Sequence, residues 1–293
     1  MELNLSKHEI MVLKQLCSGD QLAINLSKTL NINKSFLSRI IKKLEGKDLV
    51  IAEKRTKEGR LIKLSGLNHA QSFKRLFESK PNAKIEEWLS GSAMDVLISS
   101  SGHEFFDMLA SEVSCSKPTL YKVLKKLYGA GVVGRENKKI FITDNTLLEF
   151  VSNYADAIVQ KTTKKLAFST IIRIRKHILI TTNSSSVPEF FSLTGINWLM
   201  QHGLEANPSE YKAYYFNLDG IKRRIDYEEA IAHALILAKE SQDTPLLASF
   251  IMKNRKLIRS YWLNFVARKF SVEAKMNELL AAIGYYEKLR DLE

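Results

Sequence analysis

Histidine and cysteine are the residue types most often used for catalysis and metal binding, and in this sequence neither has the spacing of such a site. The six histidines show no ligand spacing, and His103-Glu104 lacks the second histidine that a zincin helix needs. Cys17 and Cys115 are too few and too far apart for a disulfide framework or a zinc site. The sequence also lacks a glycine-rich phosphate loop. We therefore expect no enzymatic activity, no metal and no cofactor.

The chemistry that the composition favours is the binding of a polyanion. The 293-residue chain has 44 Lys and Arg against 32 Asp and Glu, which gives a formal net charge of +12. Such an excess points to nucleic acid or to an acidic membrane surface. The first residues lack the apolar core of a signal peptide, and the longest apolar run, residues 230–238, is too short to span a bilayer. We expect a cytoplasmic protein that does not bind membranes.

An internal repeat organises the first half of the chain. Residues 19–50 align without gaps on residues 102–133, and nine of the 32 aligned positions are identical. Because a repeat sets the number of domains, we expect two copies of one supersecondary unit. The predicted domains are residues 1–80, 81–163 and 164–293.

Each copy shows the pattern of three helices followed by two strands. In the first copy Ser6 begins a helix with Glu9 three residues later, which is the spacing of a capping box. The third helix, residues 34–45, has its apolar residues on one stripe, and Gly46 is placed as its C-cap. The other elements predicted for the two copies are a helix that buries Leu22, Leu26 and Leu30, strands at 49–53 and 60–64, helices at 93–99, 104–113 and 117–128, strands at 132–135 and 139–143, and a helix at 147–163.

Both copies resemble winged helix-turn-helix domains, and the first is most similar to the MarR-like kind. The residues that carry the resemblance are LAINLSKTLNINKSFLSRIIKKLEGKDLVIAEKRTKEGRLIKL and FFDMLASEVSCSKPTLYKVLKKLYGAGVVGRENKKIFIT. The resemblance implies a transcription regulator from a prokaryote, either a bacterium or an archaeon. It also implies a mainly α fold with small β wings and two tandem winged helix-turn-helix domains. The elements predicted after them indicate a small α/β domain that ends in a helical bundle.

The resemblance makes residues 34–45 and 117–128 the recognition helices, which lie in the major groove while the basic wings contact the backbone. On the first helix, Arg39 is able to reach a guanine edge, and Lys42 and Lys43 are able to reach phosphates. The alternative for any single lysine is an ordinary solvated helix face. The candidate DNA-binding residues are Lys34, Ser35, Ser38, Arg39, Lys42, Lys43, Lys54, Arg55, Lys57 and Arg60 in the first copy, and Lys117, Thr119, Tyr121, Lys122, Lys125, Arg135, Lys138 and Lys139 in the second.

The positive charge is unevenly divided along the chain. Residues 1–80 have 16 basic and 8 acidic side chains, net +8, whereas residues 81–160 have 8 and 10, net −2. Residues 161–293 have 20 and 14, net +6. The first copy is therefore expected to be the main electrostatic contact with DNA, and the second copy serves either as a weaker DNA contact or to position the first.

The last domain is predicted to bind an effector, to oligomerise or to bind a partner protein. Residues 178–216, ILITTNSSSVPEFFSLTGINWLMQHGLEANPSEYKAYYF, resemble the C-terminal domain of antitoxin-like regulators that accompany nucleotidyltransferase toxins. The acidic pair of a nucleotidyltransferase is missing, which argues against that catalysis. The predicted elements are a strand or strand pair at 171–181, a helix at 187–202, a strand at 211–217, a helix from Asp226 with Glu229 as its capping partner, and helices at 244–254, 257–269 and 272–289.

Several groups in this last domain have two interpretations. The basic clusters 222–224 and 253–259 extend the DNA contact, pair with acidic residues of a partner or remain a solvated surface. Aromatic residues such as Trp198 and Tyr215 form the core or line a pocket. We expect His233 to be a buried core histidine.

We therefore expect a sequence-specific regulator of transcription that binds double-stranded DNA. The alternatives are an antitoxin-like protein-interaction module and a plasmid-type replication initiator built on two winged helices. A homodimer or a partner protein bound through the last domain is compatible with all three.

Overall fold

The computed structural model describes residues 3–55, 59–102, 104–238 and 243–290. The chain divides into two compact units, Met1–Thr163 and Lys164–Glu293. Helices dominate the described residues, and the strands form three small antiparallel sheets. The predicted mainly α class with small β sheets is confirmed.

The first unit begins with three helices and a three-stranded sheet in the order β1-β3-β2. A strand of two residues pairs with the hairpin, so that the hairpin is held against the helices. The elements are α1 Lys7–Cys17, β1 Gln21–Leu22, α2 Ala23–Thr29, α3 Lys34–Gly46, β2 Val50–Arg55, β3 Gly59–Leu64 and α4 Asn68–Ser79.

The second half of this unit repeats the same elements. Helix α3 (Lys34–Gly46) has its equivalent in Lys117–Gly129, which lies 83 residues further along and has the same 13-residue length. The sheet again places the two-residue strand beside the hairpin, in the order β4-β6-β5. The elements are α5 Ile85–Trp88, α6 Ala93–Ser100, β4 Glu104–Phe105, α7 Phe106–Glu112, α8 Lys117–Gly129, β5 Val133–Glu136, β6 Lys139–Ile142 and α9 Asn145–Thr163.

The two copies pack against each other through the helix that follows each hairpin, α4 in the first copy and α9 in the second. The ring of Phe73 meets the edge of Phe150 at 5.3 Å between centroids, and Phe150 lies 5.8 Å from Tyr154. The ammonium of Lys80 binds the carboxylate of Asp144 at 2.8 Å. The two copies, which meet near residue 80, therefore belong to one compact unit. The equivalent helices α4 and α9 form the contact between the copies.

The helix ends of the first unit confirm one predicted cap and correct another. The side chain of Ser6 accepts a hydrogen bond from Glu9 N while Glu9 binds Ser6 N, which is the predicted capping box. The prediction for Gly46 was wrong, because α3 includes this residue and ends with Lys47 as its C-cap. The left-handed backbone conformation falls instead on Asp48, with a φ of 54°.

Two other predictions for this unit were wrong at helix starts. Leu22 was assigned to a helix but lies in β1, where it pairs with Leu61, and it is only half-buried. The helix predicted to begin at Glu104 begins at Phe106, because Glu104 pairs with Ile140 of the second sheet. In both cases a strand that is distant in sequence takes the backbone hydrogen bonds of the predicted first turn. The local periodicity of the sequence does not indicate that strand.

The second unit combines a four-stranded antiparallel sheet, in the order β7-β8-β10-β9, with five helices among its described residues. One face of the sheet, including Leu179 and Tyr215, packs into the helical core. The other face is covered where Phe191 stacks on Phe216 at 4.3 Å. The elements are β7 Thr170–Ile174, β8 His177–Thr182, β9 Ser192–Leu193, α10 Gly195–Gln201, β10 Lys212–Asn217, α11 Tyr227–Leu237, α12 Asp243–Lys253, α13 Ser260–Lys269 and α14 Glu273–Arg290.

Of the two possibilities predicted at 171–181, a strand or a strand pair, the structure has the pair β7 and β8, but the helix predicted at 187–202 was wrong. Only residues 195–201 are helical, because Ser192 and Leu193 pair with β10 and form an edge strand. Gly195 follows with a φ of 58°, a left-handed conformation that glycine adopts without strain and that separates the strand from the helix. The cap predicted for α11 is confirmed, since Asp226 accepts a hydrogen bond from Glu229 N at 2.8 Å.

Candidate nucleic-acid interface

Helix α3 presents one apolar face and one polar face. Leu37, Ile40 and Leu44 are buried on the inner face. Asn33 caps the helix, accepting hydrogen bonds from Phe36 N at 2.8 Å and from the hydroxyl of Ser35 at 2.9 Å. All six residues predicted for DNA contact on this helix are exposed, and they are Lys34, Ser35, Ser38, Arg39, Lys42 and Lys43.

The guanidinium of Arg39 has an aromatic support that was not predicted from the sequence. Its central carbon lies 5.5 Å from the centroid of the Phe36 ring, which is within the range of a cation–π contact. Phe36 in turn meets the edge of His8 at 5.0 Å. The signal in the sequence is an aromatic residue three positions before the arginine on the same helical face. The contact restricts Arg39 before any ligand binds.

The C-terminal end of α3 is fixed by two cations, its own C-cap residue Lys47 and Lys161 of the second copy. The ammonium of Lys47 donates to a carboxylate oxygen of Glu9 and to Asn4 O, both at 2.7 Å. Although burial raises the pKa of Glu9, the hydrogen bonds from Lys47 and Ser6 hold it below its usual value. The ammonium of Lys161 on α9 donates to Gly46 O at 2.6 Å, where the negative end of the helix dipole favours a cation. Helix α3 is thus anchored to both copies.

The wing of the first copy is tied to α3 by one of its predicted DNA-contacting residues. Arg60 donates two hydrogen bonds from one guanidinium nitrogen to the carboxylate of Glu45, each 3.0 Å long. In the strand register Lys54 lies opposite Arg60, and Arg55 lies opposite Gly59 at the end of the hairpin. Lys57 lies outside the described residues. Arg60 is therefore engaged within the protein, where it orients the hairpin.

The equivalent helix of the second copy, α8, has a more aromatic outer face. Tyr121 is 60% exposed, and its ring stacks on that of Phe106 at 4.6 Å. The hydroxyl of Thr119 is 3.0 Å from that of Ser116, the N-cap residue. All five residues predicted on this helix are exposed, and they are Lys117, Thr119, Tyr121, Lys122 and Lys125.

The second hairpin is short and ends in a tight turn. Asn137 and Lys138 have φ values of 48° and 66°, as expected for the two central residues of a type I′ turn. Arg135, Lys138 and Lys139 are all exposed, and the Lys139 ammonium lies 5.3 Å from the centroid of Phe105. Sequence reasoning missed Phe105 and Phe106, which add an apolar component to the basic surface of this copy.

The described residues contain no group of three or more His, Cys, Asp or Glu side chains placed to hold a metal ion. His233 is fully buried, as predicted, and its Nδ1 lies 2.7 Å from the hydroxyl of Thr194. In the part of the chain that the structure covers, every helix is too short or too polar to cross a membrane.

Comparison with known proteins adds no assignment to this geometry. No protein-family model, no curated protein and no solved structure matches the chain.

Proposed function

We propose that the protein is a sequence-specific regulator of transcription that binds double-stranded DNA through two winged helix-turn-helix domains. The observation that carries the proposal is the outer face of α3, on which all six predicted contact residues are exposed while the opposite face is buried. A 13-residue helix is about 20 Å long and fits a major groove about 12 Å wide. A face of serine, arginine and lysine matches the hydrogen-bonding groups at that groove.

The residues of this face divide by their chemistry. Arg39 is the base-reading residue, because a guanidinium donates two hydrogen bonds to the O6 and N7 atoms of guanine. Ser35 and Ser38 bind a neighbouring base edge or phosphate, and the lysines bind phosphates. The cation–π contact with Phe36 supports this role, since an arginine that is already restricted loses less conformational entropy on binding.

The second copy contributes a weaker contact of the same kind. Its helix α8 has the same length and the same exposed lysines, but residues 81–160 have a net charge of −2. The contact between α4 and α9 holds α3 and α8 in one compact unit. A single chain would then bind two half-sites, as the two subunits of a dimeric regulator do. In a prokaryotic cell, a genomic DNA partner would place the protein in the cytoplasm.

The test begins with selection of bound duplexes from a random pool by the full chain. The affinity of the Arg39→Ala, Lys42→Ala double variant for the selected duplex is then measured by fluorescence anisotropy at physiological salt. We expect binding to be at least about fivefold weaker, since a bidentate base contact alone is worth about 1–3 kcal/mol, or about 5- to 150-fold in affinity. The matched control, Lys74→Ala with Lys84→Ala, removes two cations of the same unit outside both helices and should bind normally.

The wing is tested by the salt dependence of the same affinity. Removing Arg55 and Lys57 together should lower the slope of log K against log salt by about two if both bind phosphates. A pool that yields no enriched duplex, or an Arg39 double variant that binds like the wild type, would refute the proposal. If the selected motif matches repeated sequences at a replication origin, a replication initiator is favoured.

A further inference from the structure

The second unit contains a cavity of about 890 Å³ that the proposed DNA contacts do not use. Its lining comes from strand β9, from helix α10 with its cap His202, from residues 222–226 and from the start of α11. The volume lies within the range of about 300–1,000 Å³ that is typical of small-molecule sites. The cavity is therefore large enough for one small ligand.

One wall of the cavity is built from aromatic rings. The rings of Trp198 and His202 are stacked, 3.6 Å apart between centroids with an angle of 16° between their planes. Tyr227 meets both rings edge-on, at 5.1 Å and 5.6 Å. The Nδ1–H of His202 donates to Trp198 O at 2.8 Å, so Nε2 remains available for a hydrogen bond. A wall of this kind fits a flat heteroaromatic ring, which stacks on aromatic faces.

Two of the four cations that line the cavity are engaged within the protein. Arg259 binds Glu228 at 3.0 Å and Asp226 at 3.2 Å, and Glu228 raises the pKa of Arg259 above its usual range. Arg223 donates to the carboxylate of Asp219. These two arginines shape the cavity while their charges are compensated.

The other two cations, Lys222 and Arg224, are exposed and form no ion pair with any residue that the structure describes. They belong to the same short segment and lie beside the aromatic wall. Their combined charge of about +2 matches that of one phosphate monoester, which carries about −1.5 to −2 at pH 7. The cavity thus joins a ring-binding wall to an anion-binding pair.

We propose that this cavity binds a nucleoside monophosphate. The base packs against the Trp198–His202 wall, and the phosphate binds Lys222 and Arg224. The proposal does not depend on whether the first unit binds DNA, because every lining residue belongs to the second unit.

The first test is isothermal titration calorimetry of the full chain with AMP, GMP, CMP and UMP in separate runs. The nucleoside and ribose 5-phosphate are titrated as probes of the ring alone and the phosphate alone. We expect at least one monophosphate to bind at least tenfold more tightly than its nucleoside and than ribose 5-phosphate. If none of the four binds, or if ribose 5-phosphate binds equally well, the proposal is overturned.

The second test assigns the two parts of the ligand to their residues. The Lys222→Ala, Arg224→Ala double variant should bind the monophosphate at least tenfold more weakly, whereas Lys164→Ala with Lys256→Ala, which replaces two exposed lysines that do not line the cavity, should bind it normally. His202→Ala should weaken the nucleoside and the monophosphate by the same factor. If the Lys222, Arg224 double variant binds the nucleotide with unchanged affinity, the site is refuted. If the same variant loses affinity only for duplex DNA, the site is also refuted, because residues 222–224 would then belong to the DNA contact.

Discussion

The ion pair between Lys47 and Glu9 should be a principal anchor of α3, and replacing Lys47 by methionine tests this. Glu9 is only 1% exposed, and the Lys47 side chain is 9% exposed. Methionine keeps much of the length of the lysine side chain but removes the ammonium that binds Glu9 and Asn4 O at 2.7 Å. The variant therefore leaves a buried carboxylate without its cation.

The expected cost is large because the unpaired charge remains buried. Breaking a buried ion pair by removing one partner costs about 3–5 kcal/mol. At about 1.4 kcal/mol per factor of ten, this equals a decrease of at least about 100-fold in the equilibrium constant for folding of the region. The Glu9→Gln, Lys47→Met double variant should recover at least half of the loss, since no charge then remains in the interior.

The assay is amide hydrogen exchange of the full chain, measured for peptides from α1 and α3. Lys47→Met should lower the protection of the buried amides in both helices by at least about 100-fold. Lys42→Met, on the exposed face of α3, should change the protection by no more than about twofold, since such surface substitutions change stability by less than about 0.5 kcal/mol. The difference in protection between Lys47→Met and the wild type should become smaller at acidic pH. The pKa of Glu9 is lowered by folding, so its stabilising effect is present above the unfolded value near 4.3 and is lost as the pH falls through the folded value. Equal protection in Lys47→Met and wild type at pH 7 would refute the argument.

Two further predictions concern buried titratable groups. Burial raises the pKa of Cys17 to about 12. Iodoacetamide at pH 8 should therefore modify the half-exposed Cys115 and leave Cys17 intact until denaturant is added. Rapid labelling of Cys17 in the native protein would contradict this prediction. Burial, together with nearby cations such as Lys269, lowers the pKa of His177 and of His233 well below 6.5. Because the unfolded chain takes up protons first, the contribution of each histidine to the stability of the second unit is complete well above pH 6.5. It should fall by about 1.4 kcal/mol for each histidine between pH 7.5 and 5.5. Hydrogen exchange of α11 would measure this loss, and a His177→Gln, His233→Gln variant should abolish it.

Local sequence was a good predictor where local interactions decide the structure. The capping pairs Ser6–Glu9 and Asp226–Glu229 are both present, because a capped first turn involves only residues three positions apart. The apolar stripe of α3 was also predicted correctly, since its period determines which side faces the core. The exposed face of the candidate interface follows from that stripe by geometry.

Prediction failed where a distant strand takes part. Ser192 and Leu193 lie within the segment predicted as a helix at 187–202, yet their pairing with β10 makes them a strand. The ion pair of Arg60 with Glu45 of α3 was also not foreseen, because no pattern within the wing indicates a partner 15 residues earlier. These outcomes depend on groups that only the folded chain brings together. The phosphate contact of Arg60 stays a prediction.

The sequence by itself determined the repeat, the amphipathic helices and the basic excess, because each of these depends on residue identity and spacing along the chain. Tertiary structure alone decided which cations remain available. Lys47, Arg60, Arg223 and Arg259 are bound to carboxylates, whereas Lys222 and Arg224 have no such partner among the described residues. The physical reason is that the effect of a charge depends on what surrounds it, and its neighbours come from distant parts of the chain.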